Sequence, residues 1–123
     1  MKLRVRHNSI RFRLGQSEAR HLADRGECRE TVEFPGGTKL EYVLLSASSS
    51  EFEVEFVNGS LSVYVPVSEL QEWQSPDRVG MKATILLSQG KTLDVLIEKD
   101  FRCVNTDVAL DQSDTFENPL ANC

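Results

Sequence analysis

The chain has 123 residues, 40% of them hydrophobic and 27% charged, with a formal net charge of −5. That length and composition fit one domain with one buried core and exclude a wholly disordered chain. The acidic balance speaks against nonspecific nucleic-acid binding, which needs a net basic surface, and no apolar run approaches the length that crosses a membrane.

The first predicted element is a hairpin. Leu3 and Val5 alternate with Arg4 and Arg6, His7-Asn8 supplies a turn, and Ile10, Phe12 and Leu14 alternate with Arg11 and Arg13. Period-two alternation marks a strand with one buried face, so the hairpin has an apolar side and an arginine side. Gly15 breaks the pattern, and Gln16 to Arg25 reads as a short helix with Ala19, Leu22 and Ala23 as its apolar stripe and Gly26 as a left-handed stop. A second hairpin, Glu27–Phe34 and Thr38–Ala47, flanks Pro35-Gly36-Gly37.

After the polar loop at Ser46–Ser50 comes a third hairpin. Phe52, Val54 and Phe56 alternate with Glu51, Glu53 and Glu55; Asn58-Gly59 is a type I′ turn dipeptide; Leu61, Val63 and Val65 follow. Pro66 ends the strand, and Ser68 is expected to cap a short helix through about Gln74. The fourth hairpin is Val79–Leu87 and Thr92–Lys99 around Ser88-Gln89-Gly90-Lys91. Alternation stops at Asp100, leaving residues 100–123 as an acidic tail expected to pack on the domain of residues 1–99, with Phe116 docked in an apolar groove.

The first and third hairpins align at an offset of 51 residues, turn on turn and Leu22 on Trp73, and Lys39–Leu44 aligns with Thr92–Ile97 after a further shift of two. This suggests an internal repeat, residues 2–47 and 53–98. The expected fold is therefore α+β: mainly antiparallel β, about eight strands in two ββαββ halves forming a barrel or sandwich, with two short helices.

Charge is unevenly spread along these elements. Residues 1–29 hold eight Lys and Arg against three acids, whereas residues 30–123 hold six against sixteen. Arg4, Arg6, Arg11 and Arg13 share one face of the first hairpin and suit an anion such as phosphate or carboxylate; the plainer alternative is a solvated surface of cross-strand ion pairs. Glu51, Glu53 and Glu55, set beside these arginines, are similar in kind to the charged interiors of triphosphate-processing tunnel enzymes, although the apolar partners Phe52, Val54 and Phe56 claim the core side. In the tail, Cys103, Asp111, Asp114 and Cys123 offer mixed sulfur and oxygen ligands for a metal such as zinc, at a spacing that matches no established zinc signature. His7 and His21 sit in a turn and on a helix face, and nothing in the chain forms a nucleophile elbow, a phosphate loop or a dinucleotide fingerprint. No catalytic residue is assigned.

The segments Asn8-Ser9-Ile10-Arg11-Phe12-Arg13-Leu14, Gly90-Lys91-Thr92-Leu93, Leu96-Ile97-Glu98-Lys99-Asp100-Phe101 and Asp114-Thr115-Phe116-Glu117-Asn118-Pro119 resemble an uncharacterised family of small bacterial proteins, a domain of unknown function. The resemblance covers nearly the whole chain; Glu117 stands where the family usually has a proline. It implies a bacterial, cytoplasmic protein and carries no chemistry. The three cysteines, odd in number and widely spaced, suit the same reducing compartment, and the charge-interrupted start Met1–His7 holds no secretory apolar region. The expected function is that of a small non-catalytic interaction or ligand-binding protein, with a protein or a small anionic ligand as partner and neither nucleic acid nor membrane. The alternative is a metal- or anion-binding protein, up to a phosphate-related enzyme with a charged barrel interior.

Overall fold

The alternating segments form four hairpins, and the two helical segments join them. In the computed structural model, which describes residues 1–101 and residue 116, the elements run β1 (Lys2–Arg6), β2 (Ser9–Leu14), α1 (Gln16–Arg25), β3 (Glu27–Glu33), β4 (Lys39–Ala47), β5 (Glu53–Val57), β6 (Ser60–Pro66), α2 (Val67–Trp73), β7 (Gly80–Leu86) and β8 (Thr92–Lys99). The turns carry the backbone that their residues favour: Asn58 and Gly59 have φ of 53° and 76°, and His7 has φ of 51°. Gly59 is needed for a second reason. A Cβ there would lie 2.7 Å from the Lys39 carbonyl oxygen, at the point where the Glu41 N–H donates to the Gly59 carbonyl at 2.8 Å.

The strands form two four-stranded sheets, ordered β1-β2-β8-β7 and β3-β4-β6-β5. Each hairpin is antiparallel, but the hairpins meet in parallel, β2 with β8 and β4 with β6. The expected mainly antiparallel fold of eight strands and two short helices is present, with the parallel junctions as its exceptions, and neither sheet closes into a barrel. The two sheets instead face each other as a sandwich-like α+β fold. The cause is the helices. Each helix carries the chain off the end of a central strand into the other sheet, so the open side of each first hairpin is left for a hairpin from the far half of the chain. Both central strands of a sheet then run away from their turns in one direction.

The inner faces and the helices share one core. Ile10, Phe12 and Leu14 of β2, Val95 and Ile97 of β8 and Met81 of β7 meet Cys28, Leu44, Val63 and Val65 of the other sheet, with Leu22 and Trp73, both 0% exposed, closing it from the helices. The Phe12 and Tyr42 rings bridge the sheets at 6.4 Å between centroids. In α1, Gly26 with φ of 78° ends the helix as expected, but Ala23 is exposed and only Ala19 and Leu22 reach the core. The second helix starts at Val67, after an extended Pro66, without a side-chain cap from Ser68.

Among the described residues no polar or charged side chain is buried. No charged barrel interior forms among the described residues, because apolar side chains fill the shared core, Glu30 on the inner side of β3 stays partly exposed at the Met1 ammonium, and Glu53 and Glu55 point out to water. Phe116 is 99% exposed, against the expectation of a docked ring; the rest of the tail beyond Phe101 lies outside the described residues. No described helix is long and apolar enough to cross a membrane.

Candidate anion-binding site

With the apolar members of β1 and β2 turned inward, Lys2, Arg4, Arg6, Arg11 and Arg13 all fall on the outer face of the first sheet. The hairpin register sets Lys2 opposite Arg13 and Arg4 opposite Arg11. Like charges directly opposite one another destabilise a sheet, so this arrangement needs acids nearby or an anion from outside. The adjoining strand β8 supplies part of the compensation. Glu98 lies 3.3 Å from Arg11 Nε and 3.8 Å from Arg13 Nε, and Lys2 reaches Asp100 at 3.0 Å. Among the described residues Arg4 has no carboxylate partner.

At the turn end of this face, Arg4, Arg6 and Arg11 line a groove of about 380 Å³ together with His7, Asn8, Ser9, Thr92 and Asp94. Its floor is fixed by hydrogen bonds between strands. The Asn8 side-chain amide donates to the Thr92 carbonyl at 2.7 Å, the Asp94 N–H donates to the Asn8 carbonyl at 3.1 Å, and Thr84 Oγ1 donates to Asp94 Oδ1 at 3.1 Å. Three of the four arginines singled out from the sequence are therefore brought together here. Arg13 is not among them, being one turn of the pleat further along and turned to Glu98. Asn8, Thr92 and Asp94 were not visible as site residues, since only the parallel pairing of β2 with β8 places Thr92 and Asp94 beside the arginines.

The opposite outer face has the reverse character. On the second sheet Glu27, Glu33, Glu41, Glu53 and Glu55 face out with Arg29 and Lys39, whereas the first sheet adds Lys82 to its five cations against Asp94 and Glu98. One side of the sandwich is basic and the other acidic.

A larger groove of about 620 Å³ runs between α1 and β3, past Glu18, His21, Cys28 and Glu30. Most of its charged groups are already paired. Arg29 bonds Glu27 at 3.2 Å and Glu41 at 2.6 Å, and His21 Nδ1 sits 2.9 Å from the Glu27 carbonyl oxygen. The Met1 ammonium lies between Glu18 and Glu30. Burial would lower the pKa of that ammonium, but its bonds to the two carboxylates outweigh burial and raise it. Burial, reinforced by the Glu18 charge, also pushes the Cys28 thiol up. A thiol held protonated is a poor nucleophile, so Cys28 is not an activated group. The described residues hold no group of three or more His, Cys, Asp or Glu placed to bind a metal; the metal candidates Cys103, Asp111, Asp114 and Cys123 lie outside the described residues.

Over residues 1–120 the chain matches the model of a family described as "Family of unknown function (DUF7009)". It belongs to that family. No curated protein and no solved structure matches the chain. Membership brings no assigned activity, so the chemistry has to come from the basic face itself.

Proposed function

We propose that this member of the family is a non-catalytic binding protein that holds an anion, a phosphate or carboxylate group, on the outer face of the β1-β2-β8-β7 sheet. Arg4, Arg6 and Arg11 bind the anion and Arg13 flanks it. The carrying observation is the cross-strand pair Arg4 and Arg11 at the edge of a groove, with Glu98 on the Arg11 side only. Planar guanidinium groups suit the paired oxygens of phosphate and carboxylate. Titration calorimetry at low salt with inorganic pyrophosphate and with a four-carbon dicarboxylate tests the reading. A charge-assisted hydrogen bond is worth about 1.5–3 kcal/mol, so Arg4→Ala and Arg11→Ala should each weaken binding about tenfold or more. Arg13→Ala should weaken it much less. Equal affinity in the wild type and Arg4→Ala overturns the site.

The two halves of the chain are, in the same reading, copies of one ββαββ unit. The support is the strand register. Lys2 opposite Arg13 corresponds to Glu53 opposite Tyr64 at a shift of 51, and Cys28 opposite Leu44 to Met81 opposite Ile97 at a shift of 53. The junctions obey both shifts together, Ser9 with Asp94 and Ser60 with Glu41. The family resemblance and the scattered cysteines support a bacterial, cytoplasmic protein.

A further inference from the structure

The two outer faces are alike in layout and opposite in charge. Each is a four-stranded face whose two inner strands run parallel and whose first hairpin lies at one edge. Lys2 and Arg4 on edge strand β1 correspond, at the shift of 51, to Glu53 and Glu55 on edge strand β5. Each face also has a half-buried apolar side chain near its centre: Leu96 between Arg11 and Lys82 on the basic side, and Leu45 on the acidic side. An apolar centre within a charged rim is the ordinary make-up of a protein interface.

We infer that the partner of the basic face is the acidic outer face of a second copy of this chain, so that copies stack head to tail, sheet on sheet. This rests on the reading of the basic face as a binding face and names its occupant. Four strands about 4.8 Å apart and about six residues long give a footprint of roughly 20 by 20 Å. That is at the small end for protein interfaces, so the association is weak and reversible. Long-range repulsion is small for residues 1–101, which carry thirteen Lys and Arg against fifteen acids. The contact is heterologous: the surface used on one copy differs from that used on the next, and nothing within a pair closes it.

Sedimentation of the full chain tests this. At about 20 mM salt the weight-average mass should climb above the monomer mass with rising concentration, and at about 500 mM it should return to the monomer, because screening shortens the reach of exposed charges. Two charge-reversed variants separate the faces. Glu53→Lys with Glu55→Lys keeps only the basic face, and Lys2→Glu with Arg4→Glu keeps only the acidic one. Each alone should stay monomeric at 13.9 kDa, and their equimolar mixture should associate to a mass above the monomer. A wild-type chain that is monomeric at every salt concentration overturns the proposal, as it would if the acidic segment after Phe101 occupied the basic face instead. So does a mixture that stays monomeric. Pyrophosphate titration of the Glu53→Lys, Glu55→Lys variant, whose anion groove is intact, reports separately on the anion site, so that the stacking can fail while the binding face stands.

Discussion

Trp73 closes the core from α2, and truncating it should come close to unfolding the domain. Its side chain is 0% exposed, its Nε1 donates to the Val79 carbonyl at 3.4 Å, and Lys99 Nζ stands 5.6 Å from the ring centroid. A buried indole takes roughly 200 Å² out of water, which at about 25 cal/mol per Å² is about 5 kcal/mol. Truncations of this kind cost roughly 3–5 kcal/mol. A domain of about 100 residues has roughly 5–15 kcal/mol in all, so Trp73→Ala leaves a marginal fold. Its melting temperature, followed by far-ultraviolet circular dichroism because the chain has one tryptophan, should fall by about 15 °C or more. Trp73→Phe is the informative companion. The Val79 carbonyl also accepts the Lys99 N–H at 3.0 Å and is not orphaned, so the phenylalanine should cost only about 1–2 kcal/mol. A loss below about 1 kcal/mol for Trp73→Ala would refute the placement of this ring at the centre of the core.

Two further predictions follow from local geometry. Gly59→Ala should destabilise by about 2 kcal/mol or more in urea unfolding, since it adds a left-handed non-glycine residue to a Cβ within 2.7 Å of a backbone oxygen; an unchanged midpoint would mean that β4 does not approach the turn as described. Burial alone would raise the Glu18 pKa, but hydrogen bonds from the Met1 ammonium and the Gly15 N–H, the latter at 2.9 Å, more than reverse it, and the carboxyl sits below its ordinary value. A depressed folded-state pKa gives stability that is present above the unfolded value and lost as pH falls through the folded one. Glu18→Gln should therefore reduce stability at neutral pH and flatten the acid side of the stability profile below about pH 5; a variant whose acid limb matches the wild type would exclude this carboxylate from the linkage.

Much of the fold was legible because most of it is local. The hairpins, the Asn58-Gly59 turn and the Gly26 stop each follow from a few neighbouring residues, and all appear where the residue pattern puts them. The parallel junctions were not legible. Ser9 pairs with Asp94 across most of the chain, and alternation says which face of a strand is buried but not which strand lies beside it. The same gap hid part of the candidate groove: Arg4, Arg6 and Arg11 were readable as one face, whereas Thr92 and Asp94 join them only through that pairing. Helix α1 failed at one residue for a different reason. Ala23 falls on the helical stripe, but the core contact narrows to Leu22 and Ala19 because α1 is met chiefly by β3 and β4, and a methyl group at the margin gains little from burial.

The way the two halves diverge bears on where function resides. At the shift of 51, every inward position of the first hairpin has an apolar counterpart in the third: Leu3 with Val54, Val5 with Phe56, Ile10 with Leu61, Phe12 with Val63, Leu14 with Val65. Packing sets most of these positions, because a polar group there would be buried without a partner; Val5 and Phe56, the exceptions, are 67% and 66% exposed. The outward positions carry no such constraint, and any soluble residue would satisfy the fold. They nevertheless do not scatter. On β1 the outward side chains are Lys2, Arg4 and Arg6, while the first two of their counterparts on β5 are Glu53 and Glu55. Folding alone would favour mixing the signs on each sheet, since opposite charges across strands stabilise and like charges oppose. Sorting them instead by sheet sets Arg4 against Arg11 on one face and gathers glutamates on the other. Among the described residues these like-charge neighbours are only partly offset, by Glu98 and Asp100 on one face and by Arg29 on the other, and this is the physical ground for treating both outer faces as binding surfaces.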